Sequence, residues 1–239
     1  MPSKITIILL SGSASCGKST VGEMLVSRAG FVPLMFAKPI KVMWEELQKL
    51  FPMLHEGTPL VTAADLESES VKMQRISNAD PRTNRFVMQR LGDVCKTAFG
   101  REDVFSQNVV HQITELVSRA FEDDQEELRI LVTDNRFPDE YKTITESLFF
   151  LRCSIERWMI VPAKDDATAP SLKDASTATH PSETMMTEMK ADRTIVNAKD
   201  GLDKLWEQVE KTLAETLAAA DMKEVGEEED KLGVEETKE

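Results

Sequence analysis

Gly12-Ser13-Ala14-Ser15-Cys16-Gly17-Lys18-Ser19-Thr20 matches the pattern G-x-x-x-x-G-K-[ST] in full. The residues before it, 5–10, are an apolar and β-branched run that is typical of a strand buried on both faces of a parallel sheet. Helical spacing of apolar residues follows from Lys18 to Gly30, and glycine is a common helix stop. The pattern therefore lies between a strand and a helix, which is the context that such a loop requires.

The residue types of this loop suit the binding of a polyphosphate. Glycines let backbone amides turn inward around a phosphate group, and the start of the helix adds a partial positive charge. Lys18 is expected to bridge the β- and γ-phosphate oxygens, and the Ser19 hydroxyl is expected to bind Mg²⁺. We therefore predict a site for ATP and Mg²⁺. The nucleotide-binding residues of the loop are Gly12, Ser15, Cys16, Gly17, Lys18, Ser19 and Thr20.

Strands and helices alternate along the rest of the chain. Predicted strands are residues 5–10, 31–36, 130–133, 148–151 and 194–196, and the predicted helices after the first are residues 39–50, 85–99, 104–121 and 202–213. Residues 52–80 are expected to form a flexible loop with some helix. Such alternation is typical of a mostly parallel sheet between helical layers, so we predict an α/β three-layer sandwich of the P-loop NTPase class.

The composition limits the classes of partner. The 239 residues carry a formal net charge of −13, which is unfavourable for binding a nucleic acid polymer through counterion release. The three cysteines lack disulfide or metal-site spacing, and no apolar run is long enough to span a membrane. We expect a cytoplasmic protein with a small-molecule partner and leave a homodimer open. Residues 221–239 hold nine acids and three lysines, and we expect them to form a disordered tail after one domain of residues 1–220.

A carboxylate and an arginine follow the predicted third strand. Asp134 comes directly after that strand, where ligands bind in open α/β sheets, and it is our candidate for orienting Mg²⁺ through its water shell. Arg136 is expected to reach a phosphate oxygen with its planar guanidinium group. The competing interpretations are a turn-capping role for Asp134 and a surface position for Arg136.

Polar side chains on the helix predicted at 85–99 could take a second ligand. Arg85, Gln89 and Asp93 are four residues apart, so they lie broadly on one face and offer a cation, an amide and a carboxylate. Lys41 adds a cation near the start of the preceding helix. A solvent-exposed helix face would show a similar pattern.

Further segments carry a resemblance to a known family. They are Phe36-Ala37-Lys38-Pro39-Ile40-Lys41, the helix segment Arg-x-x-Met-Gln-x-Leu-Gly-Asp at 85–93, Asp134-Asn135-Arg136, His180-Pro181-Ser182-Glu183 and Asp192-Arg193-Thr194-Ile195-Val196-Asn197. With the loop, they resemble the deoxynucleoside monophosphate kinases of large tailed bacteriophages and their P-loop relatives, which include animal-type phosphomevalonate kinase. The resemblance covers most of residues 5–213. It departs from the family where a threonine is expected between Gly92 and Asp93 and where Lys96 stands in place of an arginine.

The resemblance implies roles for residues that the loop alone does not assign. It implies a helical acceptor-binding insertion at about 37–121 and a lid at about 153–185, whose segment 180–183 closes the site. It also implies that Arg136 contacts phosphates and that Asn197 lies near the ATP base. The acceptor-binding residues that it implies are Lys41, Arg85, Gln89, Asp93, Arg136 and Glu183.

An arginine is expected to stabilise charge on the transferring phosphoryl group. The predicted lid carries lysines where many nucleotide kinases carry arginines. Arg152 is therefore the first candidate, with Arg157 second. The competing interpretations are a charge at a strand end for Arg152 and a surface charge for Arg157.

These features predict a kinase that transfers a phosphoryl group from ATP to a (deoxy)nucleoside monophosphate and releases ADP. Its catalytic residues are expected to be Lys18, Arg136 and Arg152. A second hypothesis keeps the fold and changes the acceptor to phosphomevalonate, dephospho-coenzyme A or another small phosphorylated alcohol. A third is a nucleotide-dependent switch that binds without turnover and whose acidic tail recruits a basic partner.

Overall fold

The protein divides into two compact units. The computed structural model describes residues 2, 4–13, 15–163 and 189–235, with side chains described up to residue 221. The first unit consists of Met1–Pro33 and Ile113–Glu239, and the second consists of Leu34–Gln112. The second unit therefore covers most of the helical insertion predicted at 37–121, but it ends earlier, at residue 112.

A five-stranded sheet forms the centre of the first unit. Its strands are β1 (Lys4–Ser11), β2 (Val32–Leu34), β3 (Glu127–Val132), β4 (Cys153–Pro162) and β5 (Arg193–Asn197), in the order β2-β3-β1-β4-β5. The pairings of β1 with β3, of β1 with β4 and of β4 with β5 are all parallel. The predicted α/β fold with a mostly parallel sheet is confirmed. Because strands on both sides of β1 run in its direction, the loop that follows β1 lies at their shared carboxyl edge.

Helices surround this sheet and build the second unit. Those of the described residues are α1 (Lys18–Ala29), α2 (Lys38–Leu50), α3 (Glu69–Lys72), α4 (Asn84–Phe99), α5 (Val104–Glu122), α6 (Pro138–Ser147) and α7 (Leu202–Glu235). One core cluster joins the sheet to α1 and α7. Its fully buried members include Ile8, Leu10, Val21, Leu25, Trp158, Ile160 and Val209.

The central strand β1 is covered on both faces, as its apolar run predicts. Ile8 and Leu10 belong to the cluster with α1 and α7, while the alternate residues Ile7 and Leu9 are equally inaccessible to solvent. Successive side chains of a strand point to opposite faces, so both faces carry helical cover. Burying one such side chain stabilises the fold by about 1.5–3 kcal/mol.

The fourth strand lies later in the chain than predicted. Residues 148–151 end a helix instead: the Leu148 N–H donates to the Ile144 carbonyl at 3.1 Å, and the Leu151 N–H donates to the Leu148 carbonyl at 2.9 Å. Leu148 and Leu151 are buried, whereas Phe149 and Phe150 are exposed, which is the spacing of a turn and not of a strand. The strand β4 follows at Cys153–Pro162 and occupies the first part of the predicted lid. The remainder of that lid, 164–188, lies outside the described residues.

The last helix is longer than the sequence predicts. α7 runs from Leu202 to Glu235, so its backbone continues as a helix through most of the segment expected to be disordered. Leu205, Val209 and Leu213 anchor its first half in the core. An established helix adds one hydrogen bond per residue, and Glu and Lys are good helix formers, so the acidic composition does not end it. None of the described helices is long and apolar enough to cross a membrane.

The second unit is built on two helices. α2 and α4 enclose a small core of Trp44, Leu66 and Ile76. The Trp44 indole N–H donates to the Asn84 side-chain oxygen at 2.9 Å, which satisfies the polar atoms of two nearly inaccessible side chains. The predicted loop at 52–80 contains 3-10 turns at Pro52–His55 and Asp65–Glu67 and the one-turn helix α3.

Candidate functional site

The loop between β1 and α1 has a conformation that requires glycine at two positions. Gly12 has a φ of +143° and Gly17 a φ of +102°. A Cβ on Gly12 would lie 2.4 Å from the Ile160 carbonyl oxygen, and a Cβ on Gly17 would lie 2.2 Å from the Asn197 side-chain nitrogen. β4 and β5 therefore pack tightly against the loop. Gly17 offers no side chain to the first N–H groups of α1, so this helix start suits an anion.

The ammonium group of Lys18 folds back over the loop. Its Nζ donates to the carbonyl oxygens of Gly12 at 2.5 Å and Ser13 at 2.6 Å, and it lies 3.8 Å from the Cys16 Sγ. Phosphate oxygens carry more negative charge than carbonyl oxygens, so a bound polyphosphate can replace these partners. The geometry is that expected of a lysine serving a phosphate site.

The other loop residues differ in how they are presented. Ser19 is exposed and Thr20 is half-buried, whereas the Cys16 thiol is buried in the core cluster. The Asn197 side chain, at the end of β5, donates to the Cys16 carbonyl at 3.1 Å. Asn197 therefore braces the loop directly, and its expected position near the ATP base stays a prediction.

The turn after β3 is fastened to the end of β1. The Ser11 hydroxyl donates to the Asn135 side-chain oxygen at 2.9 Å, and the Asn135 N–H donates to the Leu10 carbonyl at 3.0 Å. The flanking residues Asp134 and Arg136 are half-buried. The structure thus brings this turn to the strand that leads into the loop. Sequence reasoning chose Asp134 and Arg136 and overlooked Asn135 between them.

Sequence reasoning also overlooked Glu140, the third residue of α6. One of its carboxylate oxygens accepts hydrogen bonds from the N–H groups of Arg136 at 2.6 Å and Phe137 at 3.0 Å, and from the Asn135 side chain at 3.0 Å. Burial raises the pKa of Glu140 to about 7; these hydrogen bonds oppose the rise and the nearby Asp134 carboxylate adds to it. An acid three residues after a helix start is a capping signal that could have identified it.

The residues predicted to hold Mg²⁺ carry suitable donor atoms. Mg²⁺ prefers oxygen ligands and usually binds through one or two protein groups together with substrate phosphates and water. The Ser19 hydroxyl and the half-buried Asp134 carboxylate are oxygen donors of this kind. Clusters of three or more metal-binding side chains are absent from the described part of the chain, and a nucleotide-bound Mg²⁺ does not need one.

Arg152 lies at the wrong edge of the sheet for its predicted catalytic role. It precedes Cys153, which pairs with Ile5 near the start of β1, whereas Ser11 at the end of β1 pairs with Met159. Six residues of strand separate these two edges, a distance of about 20 Å. The apolar run at 148–151 misled the prediction, because it placed Arg152 after a strand and not before one. Arg152 therefore lies outside the candidate site.

Arg157, the second candidate, is a buried side chain and not a surface charge. Its guanidinium group lies 4.2 Å from the ring centre of Tyr141 and donates to the Lys190 carbonyl at 3.0 Å. The backbone N–H of Arg157 donates to the Asp192 carboxylate at 2.7 Å. Burial lowers the pKa of Arg157, opposed by Tyr141 and Asp192. These contacts join β4 to the segment that precedes β5.

In the second unit, the predicted acceptor-binding cations are nearly buried and paired with acids. The side chain of Lys41 is 7% exposed and its Nζ lies 2.6 Å from the Glu67 carboxylate, while Arg85 forms an ion pair with Glu69. Gln89 and Asp93 lie further along α4, as their spacing predicts. The two glutamates were not foreseen, because they come from a loop without apolar periodicity. Glu183 lies outside the described residues.

Comparisons with known proteins give a fold likeness only. The chain matches no protein-family model and no curated protein sequence. Among solved structures, the dephospho-CoA kinase from Campylobacter jejuni is similar, with 13% sequence identity, a TM-score of 0.43, and coverage of 89% of this chain and 97% of that chain. The likeness is weak, and no activity or substrate is transferred from it. The sheet order and the glycine-dependent loop themselves define this chain as a P-loop α/β protein.

Proposed function

We propose that the protein is an ATP-dependent phosphotransferase that acts with Mg²⁺ on a small phosphorylated acceptor. The observation that carries this proposal is the Lys18 ammonium group, which lies over a loop that requires Gly12 and Gly17, at the carboxyl edge of a parallel sheet. Backbone amides, a helix start and a mobile cation are the components that bind a polyphosphate.

The proposed reaction is a direct in-line transfer. An oxygen of the acceptor attacks the γ-phosphorus of ATP, the bond from that phosphorus to the bridging oxygen breaks, and ADP leaves. Negative charge on the phosphoryl and leaving oxygens is neutralised by Lys18 and by Arg136. Ser19 and Asp134 would hold Mg²⁺, which would supply further positive charge next to the phosphate oxygens.

We further propose that the phosphorylated acceptor is a (deoxy)nucleoside monophosphate. Lys41 and Arg85 are cations suited to its phosphate, and their burial strengthens an electrostatic contact. Gln89 and Asp93 on α4 offer an amide and a carboxylate, which suit the polar edges of a base or sugar. Phosphomevalonate and dephospho-coenzyme A remain as alternative acceptors, since each carries a phosphate that the same cations would bind.

A panel assay for acceptor-stimulated ADP release tests the proposal. The wild-type chain is incubated with ATP and Mg²⁺ and with each common ribo- and deoxyribonucleoside monophosphate, phosphomevalonate or dephospho-coenzyme A. We expect stimulation by one or more of the nucleotides, with none in the Lys18→Ala variant. The variant controls for contaminating kinases.

Other outcomes of the panel assay would change the proposal in different ways. Stimulation only by phosphomevalonate or dephospho-coenzyme A would exclude the nucleotide acceptor and keep the phosphotransferase. Tight ADP binding without turnover on any acceptor would instead support the nucleotide-dependent switch. Loss of both ADP binding and turnover in a well-folded sample would overturn the assignment of the loop itself.

A further inference from the structure

A chain of hydrogen bonds joins the buried side chains of Ser11 and Asn135 to the half-buried side chain of Glu140 near the candidate site. The Ser11 hydroxyl donates to the Asn135 side-chain oxygen at 2.9 Å, and the Asn135 side-chain nitrogen donates to the Glu140 carboxylate at 3.0 Å. Ser11 is the last residue of β1, Asn135 lies in the turn after β3, and Glu140 lies in the first turn of α6. The hydrogen bonds therefore tie the end of β1 to a turn 124 residues later in the chain and to the helix that follows this turn.

Both polar side-chain atoms of Asn135 and its backbone N–H take part in this arrangement. Its side-chain nitrogen also donates to the Phe137 carbonyl at 3.3 Å, and its backbone N–H donates to the Leu10 carbonyl at 3.0 Å. Asn135 and Ser11 have no solvent exposure, so neither can exchange these partners for water without opening the fold. Hydrogen bonds among buried polar groups of this kind favour one geometry.

The residues next to this chain are those on which the proposed function depends. Gly12 follows Ser11 directly, and Asp134 and Arg136 stand on either side of Asn135. The Glu140 carboxylate also accepts from the Arg136 N–H at 2.6 Å, so it fixes the backbone from which the Arg136 side chain projects. A shift of these hydrogen-bonded side chains would move Asp134 and Arg136 relative to Gly12, where the loop begins.

We propose that Ser11, Asn135 and Glu140 are positioning residues that set the placement of Asp134 and Arg136 relative to the phosphate-binding loop. This inference rests on the proposed function, because it assumes that Asp134 serves a nucleotide-bound Mg²⁺. The simpler alternative is that Glu140 only caps α6, as acids at this helix position do. The alternatives differ at Ser11, which takes no part in capping α6.

Calorimetric binding of ADP, with and without Mg²⁺, separates these alternatives without requiring turnover. The variants are Ser11→Ala, Asn135→Ala, Glu140→Ala and Glu140→Gln, with Glu146→Gln as a matched control. Glu146 lies on the same helix and forms an exposed ion pair with Lys142 at 3.9 Å. Glutamine at 140 keeps one oxygen that can accept the same hydrogen bonds.

We expect the three alanine variants to bind ADP in the absence of Mg²⁺ within about twofold of wild type, since the loop and Lys18 are unchanged. The gain in ADP affinity on adding Mg²⁺ should fall by about fivefold or more in each of them. Glu140→Gln and Glu146→Gln should retain that gain. Where the panel assay identifies an acceptor, kcat should fall by about tenfold or more in the alanine variants, with a smaller change in KM for ATP.

Three results would overturn the inference. One is a Ser11→Ala variant that melts cooperatively and keeps the full Mg²⁺-dependent gain. Another is a loss confined to Glu140→Ala, which would reduce Glu140 to a helix cap. The third is a wild-type chain whose ADP affinity does not respond to Mg²⁺. If Asn135→Ala does not fold, the milder Ser11→Ala and Glu140→Gln variants still give the answer. A Mg²⁺-dependent gain without turnover on any acceptor would contradict the proposed function and leave the positioning role intact.

Discussion

The proposed function depends directly on the side chain of Lys18. The Lys18 ammonium group contacts Gly12, Ser13 and Cys16 of its own loop, and these three contacts do not tie two elements of the fold together. Removing the side chain should therefore affect function far more than folding.

Lys18→Ala should lower kcat by orders of magnitude, because the variant cannot neutralise charge on the transferring group, and should leave the melting temperature near that of wild type. Steady-state kinetics and thermal unfolding measure the two effects. Lys211→Ala, an exposed position on α7, is the control and should change neither. Wild-type turnover in Lys18→Ala would mean that the loop is not a phosphate site.

Glu140 makes stability depend on pH at the level of a single residue. Its folded-state pKa is raised from 4.5 to about 7, chiefly by burial, so the folded protein keeps this proton at pH values where the unfolded chain releases it. The stabilisation is complete below about pH 4.5 and is lost as pH rises to about 7. The total loss is roughly 3 kcal/mol.

Glu140→Gln should remove this dependence, because glutamine has no proton to release in this range. Urea unfolding of both proteins from pH 4 to pH 8 measures it. We expect the free energy of unfolding of wild type, relative to Glu140→Gln, to decrease steadily with rising pH. A flat difference would show that the folded-state pKa of Glu140 is not raised.

At the scale of elements, the region around 148–151 shows why an apolar run is an ambiguous signal. Four apolar residues in sequence fit a buried strand as well as a helix end. The strand β4 was overlooked because Glu156 and Arg157 interrupt its apolar pattern. The Glu156 carboxylate is satisfied within its own strand and by α7: it accepts from the Trp158 indole at 3.0 Å and from the Thr216 hydroxyl at 2.6 Å.

The two interpretations predict opposite costs for neighbouring substitutions. A strand would alternate, so that Leu148 and Phe150 faced the core together, whereas the turn buries Leu148 and Leu151. Leu151→Ala should therefore cost about 2–5 kcal/mol of stability. Phe150→Ala, at a side chain that is 61% exposed, should change stability by less than about 0.5 kcal/mol. Denaturant unfolding measures both losses of stability. A larger loss in Phe150→Ala than in Leu151→Ala would support a strand at 148–151.

At the scale of the whole molecule, the backbone of α7 continues past Leu205, Val209 and Leu213, which belong to the core cluster. Asp221, at the start of the tail, forms an exposed ion pair with Lys4 at 2.7 Å, and such pairs contribute about 0–1 kcal/mol. Deleting residues 222–239 leaves this pair and the anchored half of the helix in place. Melting temperature and kcat should both stay within experimental error of wild type. A large loss of either would show that the tail takes part in folding or function.

The predicted site residues are divided between the two compact units. The residues expected to bind nucleotide fall in the first unit, and Lys41, Arg85, Gln89 and Asp93 fall in the second. Helical spacing correctly placed the last three on one helix. Glu67 and Glu69, the acidic partners of Lys41 and Arg85, could not be predicted, since they lie in short turns of helix that leave no periodic signal in the sequence.

The sequence by itself determined the glycine-dependent loop at 12–20, the strand and helix that flank it, and the parallel sheet. These features depend on local patterns: glycine where φ is positive, an apolar run for a buried strand, and apolar spacing for a helix. Only the tertiary structure revealed the chain from Ser11 through Asn135 to Glu140 and the distance of Arg152 from the loop. The Ser11–Asn135 contact spans 124 residues of sequence, and strand register depends on the pairing of whole elements. Because such contacts form only after the elements pack, no local pattern encodes them.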